Sequence, residues 1–593
     1  MKNALVIVTL SAFFSVSTAQ ARIVSPLNLA QQDAAPAAIA DNADKSDADK
    51  KKDPSLPDVE LTEDLMYKLL RAEFAYQRGD WQLAFVTMMT SAQQTRDPRL
   101  AHRAAEIALS VKKANEALAA VKLWRELAPN SDEADQFYLG LSVLGDDLAA
   151  AKPLLVERLQ EVRPQQRGLM ILQIQRLLSS SKDKQGAFSL LEELVKPYPD
   201  LVESHIALAH SAYANKELTI ARLEAQQALK LKPDLEIAAL MVAQTMTERA
   251  DTLEFLASYL KDHPKARDIR IAYAKVLIDD KQYDQARKQF GILLEEKPND
   301  LTILYAMGIL GAQLNDRAMA EKYLTAYLAE LDKNPDETRD PVQAQLILAQ
   351  IAEDRKDYQA ALKWLAQIDP GPAYLEAQIH SAQIMAASGD LDGARNLLAH
   401  LTPEGQREQV QVIAADAQLL SRADRMPEAL NVMAAGEKRF PEDTGLLYDY
   451  AMLAEKADRL DLMENLLRKV IKLAPQNQHA YNALGYSLAD RNVRLQEAYT
   501  LIEKALQLAP EDPFIMDSMG WVEFRLGRLQ EAEDYLRRAY ALRPDVEIGV
   551  HLGEVLWVKG DKDSAQQFWR DASRKDPQND VLKSTLTRLR VDL

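Results

Sequence analysis

A small side chain returns along this chain at nearly fixed intervals, and no other feature constrains the fold as tightly. It recurs as Ala84, Ala117, Ala151, Ala187, Ala221, Ala286, Ala320, Ala361, Ala394, Ala429, Ala498, Ala532 and Ala565, mostly 33 to 36 residues apart. Met463 occupies the slot between Ala429 and Ala498. Between Ala221 and Ala286 the marker is lost, although the interval has room for one more unit. Between Ala320 and Ala361 the spacing stretches to 41, with a turn-rich insertion at Asn334-Pro335-Asp336-Glu337-Thr338. One unit of this size cannot bury its apolar stripe alone, so copies stacked on either side must complete its core.

Two further ladders run in register with the first. Prolines end units at Pro129, Pro199, Pro233, Pro264, Pro298, Pro441, Pro475, Pro510, Pro544 and Pro577; proline cannot continue a helix and fits just past its C-terminus. A small residue after an apolar one marks the first helix of several units: Leu139-Gly140, Met307-Gly308, Leu484-Gly485, Met519-Gly520 and Leu552-Gly553. Gly79-Asp80, Gly389-Asp390 and Gly560-Asp561 supply a turn and then a carboxylate able to cap the second helix.

The stretch Glu511 to Pro544 carries the unit most fully. Its first helix is expected from about Ile515 to Leu526 and its second from about Leu529 to Leu542, with the turn at Gly527. Gly520 and Ala532 mark a close crossing, while Tyr535, Leu536, Ala539 and Leu542 are expected to face the next hairpin.

These are the marks of the tetratricopeptide repeat, a helix–turn–helix of about 34 residues. The chain resembles that family from Leu61 to Pro577, over about fifteen units. The fold implied is all-α, a solenoid whose first helices line the concave face of a right-handed superhelix. Residues 578–593 read as a last helix, made polar enough to cap the array by Lys583, Arg588 and Arg590.

Residues 1–21 read as a secretory signal, with Lys2, an apolar run from Ala4 to Val16 and small residues in Ala19-Gln20-Ala21. That run is too short for an ordinary spanning helix, which needs about 20 residues. Residues 22–60, rich in Ala, Asp, Lys and Pro, read as a disordered linker, and the Lys50-Lys51-Lys52 run lies among acidic residues as a solvated tether. The expectation is a periplasmic protein with no membrane span after cleavage. The net charge of −17 disfavours nucleic acid as a partner. With no cysteine, disulfides, zinc–thiolate sites, cysteine nucleophiles and a lipid-bearing cysteine are excluded.

No catalytic or metal motif emerges, and no cofactor is expected. The eight histidines make no pair at i and i+4 with a glutamate between. His205 and His210, five apart, fall on different helix faces. Ser179 to Lys182 matches a serine-nucleophile spacing, but it lies where the repeat demands its inter-helix turn. The chain is therefore expected not to be an enzyme.

The family's register names the candidates for a partner-binding groove. They are His479, Asn482, Tyr486 and Asp490; Asp517, Trp521, Phe524 and Arg525; and Glu554 and Trp557. Tyr, Trp and Arg are common interface anchors, and Asn482 can both donate to and accept from a peptide backbone. Trp521 and Trp557 fit the inter-repeat core as well as the groove, and Tyr535, Phe568 and Trp569 fit the core.

The C-terminal third, NALGYSLADRNVRLQEAYTLIEKALQLAPEDPFIMDSMGWVEFRLGRLQEAEDYLRRAY from Asn482 and then HLGEVLWVKGDKDSAQQFW from His551, resembles large tetratricopeptide proteins of the proteobacterial cell envelope, usually outer-membrane lipoproteins. AEFAYQRGDWQLAF and DPRLAHRAAEIAL near the N-terminus are similar too. The resemblance implies an adaptor that brings peptidoglycan hydrolases to a carboxyl-terminal processing protease. This chain departs from the group in having no lipobox cysteine, so any outer-membrane association would run through partners. An assembly scaffold for polysaccharide export or outer-membrane biogenesis is the alternative, and an enzyme with an unrecognised carboxylate site a more distant one.

Overall fold

Each second helix of the repeat places its marker at the same point, the fourth residue. In the computed structural model, which describes Pro57 and residues 59–593, thirty-one α-helices follow one another, with no strand among those residues. Read in order they are fifteen pairs, here called helix A and helix B, and a last single helix, Asp580–Leu589. Helix B begins at Trp81, Ala114, Leu148, Lys184 and Leu218 in the first five pairs, and Ala84, Ala117, Ala151, Ala187 and Ala221 are each fourth and buried. Alanine there lets the two backbones approach closely, and thirteen of the fifteen pairs keep it. The unit whose marker was lost is present as Glu236–Thr245 and Arg249–Asp262. Its fourth residue is Thr252, buried, with Oγ1 donating to the Glu248 carbonyl at 3.0 Å. Threonine is small enough to fit, and with its hydroxyl satisfied inside its own helix it keeps the packing while breaking the pattern.

The chain divides into two compact units, Met1–Asn315 and Asp316–Leu593. In the first, a continuous core runs through Ala84, Met88, Ile107, Val121, Trp124, Leu155, Ile171 and Leu191. In the second, the main core joins Leu447, Met463, Leu467, Leu484, Ile502, Met519 and Val522, and Met463 fills its slot fully buried. The expected insertion, Asn334 to Thr338, forms a turn that follows a helix lengthened to 17 residues, Arg317–Lys333. There Asp336 accepts from the Thr338 amide at 3.0 Å and its hydroxyl at 2.6 Å.

The turns carry their own chemistry. Asp80, Asp390 and Asp561 cap helix B by accepting from Leu83, Gly393 and Ser564 amides at 3.2, 2.9 and 3.2 Å. Ser179 and Ser180 each donate back to a carbonyl three residues earlier at 2.6 Å, so this segment is a turn. In the key hairpin the helices are Pro513–Arg525 and Leu529–Leu542. A Cβ on Gly520 would stand 2.6 Å from Leu536 Cγ and 3.1 Å from the Ala532 carbonyl oxygen, so the close crossing is real. Leu542 corrects the expectation: it is 58% exposed, in the last turn where the chain swings away through Pro544, and Ala539 is the residue that meets Ile548 of the next pair.

The expected signal (1–21) and nearly all of the expected linker (22–60) lie outside the described residues. Among those described, no helix is long and apolar enough to cross a membrane.

Candidate partner-binding face

Helices Gln478–Asp490, Pro513–Arg525 and Val546–Lys559 are the A helices of the last three pairs. Because the repeat is periodic, residues one period apart stand side by side on this face. His551 follows Asp517 by 34 residues, and its Nδ1 lies 2.9 and 3.0 Å from the two Asp517 carboxylate oxygens. The imidazole is buried and stacks on Trp521, with ring centroids 4.2 Å apart and planes 24° from parallel. Trp521 donates from Nε1 to Asp490 Oδ1 at 3.3 Å. The Arg525 guanidinium covers the indole at 4.9 Å and donates to the Asp490 carbonyl at 2.5 Å, and the Phe524 ring lies 5.2 Å from the indole. Tyr486 approaches His551 from Gln478–Asp490, two A helices earlier, at 6.2 Å. At the far edge, Arg588 of the last helix donates to the buried Glu554 carboxylate at 2.6 Å.

The electrostatics follow from burial and neighbours. Burial disfavours charge on His551, but Asp517 at hydrogen-bond distance, helped by Glu554 and Glu547, outweighs it and holds the imidazole pKa above its ordinary value. Desolvation first, then the Asp490, Asp517, Glu547 and Glu455 carboxylates, push the Tyr486 hydroxyl beyond the ordinary tyrosine range, so it stays neutral. Asp449 and Glu547 are exposed, yet desolvation is the leading cause raising both carboxyls. Solvent reaches them while protein atoms crowd them.

Two side chains here have unspent hydrogen-bonding capacity. Asn482 Oδ1 and Arg525 Nε are buried with no partner among the described residues. A buried polar atom left unpaired costs about 1–3 kcal/mol, a cost that a bound backbone amide or carbonyl would remove only after these shielded side chains turn outward.

The structure thus brings together Tyr486, Trp521, Phe524 and Arg525, with Asp490 and Asp517, and places Asn482 one turn before Tyr486. It leaves two candidates apart. His479 is exposed in the first turn of its helix, 3.3 Å from the Gln478 amide nitrogen. Trp557 packs against Trp569 at 5.5 Å, under Lys562 at 4.9 Å. Trp521 itself is 3% exposed, a packed support and not a free surface. Trp569 is core, with Nε1 donating to the Val550 carbonyl at 3.2 Å. His551 was missed as a face residue; its position one period after Asp517 was the signal. Elsewhere, His205 is held by Glu224 at 2.7 Å and by the Pro199 carbonyl at 2.8 Å. No cluster of three acidic or histidine side chains among the described residues is placed to hold a metal.

Fold and face define a tetratricopeptide array, and the chain belongs to the tetratricopeptide repeat-containing proteins. Family models described as tetratricopeptide repeat match residues 242–308, 464–513 and 518–580. Over 542 residues it is 32% identical to the TPR repeat-containing protein PA4667 of Pseudomonas aeruginosa, covering 89% of this chain and 88% of that relative. Among solved structures it is similar to yeast Tom70, at 15% identity over 72% of this chain and 97% of that one, with a TM-score of 0.33. It is also similar to TTC0263, a thermophilic TPR protein of Thermus thermophilus, at 22% identity over 31% of this chain and 100% of that one, with a TM-score of 0.28.

Proposed function

We propose that this chain is a non-enzymatic adaptor of the periplasm that delivers peptidoglycan hydrolases to a carboxyl-terminal processing protease. Tetratricopeptide arrays are scaffolds for protein partners, and that much follows from the family. The finer reading is supported by the resemblance of the C-terminal third to envelope adaptors. The observation that carries it is the A-helix face of the last three pairs. Tyr486 and Arg525 stand there on a rigid bed of Trp521 and His551, and Asn482 Oδ1 and Arg525 Nε wait for partners. An extended segment lying along this face would bury the aromatic edge, and would satisfy both shielded atoms once the Asn482 and Arg525 side chains turn outward to meet it. The chain contributes no bond-making group; two proteins held on one array react faster because each sees the other at high effective concentration.

Affinity capture from envelope extract tests this, with a tagged chain and mass spectrometry of what it retains. The expected result is recovery of the protease, with hydrolases enriched when the protease is inactivated. Recovery of polymer-export or outer-membrane assembly components in their place would overturn the adaptor reading.

A further inference from the structure

The two ends of the array differ in a way the scaffold reading does not use. The last helix, Asp580–Leu589, buries Leu582 and Thr585 and turns Lys583, Ser584, Thr587 and Arg588 to solvent, as a cap should. The first helix, Glu63–Gln77, sets large apolar side chains among the polar ones on its outer face. It buries Ala72 and Ala75 against the following helices. At 100° per residue, Met66, Leu70 and Phe74 form a stripe on the opposite side, with Tyr67 at its edge. They are 46%, 52%, 57% and 64% exposed respectively, and Leu61 just before the helix is exposed as well. Four large apolar side chains in line on one terminal helix make a surface that expects a cover.

Charge around the stripe says what covers it. Glu60 and Glu63 are exposed at the N-terminal end, Arg71 beside the midpoint and Arg78 at the C-terminal end, and none of the four has an ionic partner among the described residues. A face with acids at one end and a base, Arg78, at the other is complementary to itself in the antiparallel sense. Residues 41–58, just before it, are rich in Asp, Lys and Pro and offer little to lay on an apolar stripe. The acidic end repels an anionic lipid surface.

We infer that a second copy of this chain covers the stripe, the two Glu63–Gln77 helices packing antiparallel about a two-fold axis near Leu70. Met66 of each copy then meets Phe74 of the other, Leu70 meets its own image, and Glu63 reaches Arg78 across the axis. Contact through one helix pair is at the small end of the interface scale, so the dimer is reversible and concentration-dependent.

Sedimentation of the full chain across the micromolar range tests this with Glu63→Arg, Arg78→Glu and the double variant. These residues are exposed, so the fold is expected to survive each change. The wild type is expected to dimerise, each single variant to dimerise about tenfold more weakly through like-charge contact, and the double variant to recover. Because the chain has no cysteine, Leu70→Cys is expected to cross-link copy to copy under mild oxidation. Val558→Cys, exposed in the last A helix, is expected not to. A chain monomeric throughout with no Leu70→Cys cross-link, or a double variant no better than the singles, would overturn the inference. So would flotation of the monomer with anionic vesicles.

Discussion

At the scale of single residues, the turn between helices A and B asks for a backbone that L side chains resist. Gly79, Gly389, Gly527 and Gly560 take φ of 82° to 102°, while Lys112, Lys216, Lys281 and Lys356 take φ of 58° to 64° at the same slot of other pairs. Each lysine there carries a penalty of about 1–2 kcal/mol for the left-handed region, partly offset by the entropy glycine loses on folding. Lys281→Gly is therefore expected to stabilise the chain by about 1 kcal/mol in urea unfolding, with no change in partner binding. The glycine turns were legible in the sequence because glycine there has few other reasons. The lysine turns were not, since an exposed lysine fits almost any surface position. His551 was hidden for a different reason: a histidine on an apolar helix declares nothing until Asp517, one repeat earlier, is known to face it. Its consequence is a pH dependence. The folded pKa stands above the ordinary value of about 6.5, with Asp517, Glu547, Glu554, Tyr486 and Arg588 all around it or its partners. The protonated imidazole therefore contributes stability that is complete below about pH 6.5 and is lost as pH rises through the raised folded value. The urea midpoint is expected to fall across that alkaline-going window, and Asp517→Asn to flatten the fall.

At the scale of the helical element, the small marker and the glycine facing it set how closely helices A and B approach. Gly520 faces Leu536 and the Ala532 carbonyl, and Gly485 faces Ile502 Cγ1 at 2.6 Å from an ideal Cβ. Gly520→Ala is expected to destabilise the C-terminal unit by about 1–3 kcal/mol through overpacking, and Leu536→Ala in the same chain to recover part of that loss. Loss of helix content on heating, followed by circular dichroism, reads both. Helix existence and pairing were legible because a close crossing leaves a strict size mark. Helix ends were less so: Pro513 begins its helix two residues before the expected Ile515, because Asp512 caps it by accepting from the Phe514 and Ile515 amides at 2.9 and 3.2 Å. Leu542 escaped because its position within the helical period says core, while its place in the final turn leaves no neighbour to cover it.

At the scale of the whole molecule, fifteen pairs were countable from the sequence because every unit must meet the same packing condition as its neighbours. The partner was not countable in that way. Asn482, Tyr486 and Arg525 are proposed to meet a partner along the A helices, and no internal period records which one. The resemblance of the C-terminal third, and the unpaired Asn482 Oδ1 and Arg525 Nε, are what support the proposed delivery of one protein to another. The most direct measurement is the rate at which the purified processing protease degrades a purified peptidoglycan hydrolase, with and without this chain. Delivery by the array predicts faster degradation with the chain present, and loss of most of that gain with Asn482→Ala/Tyr486→Ala while the protease's cleavage of a short peptide is unchanged. Equal hydrolase degradation with and without the chain would contradict it.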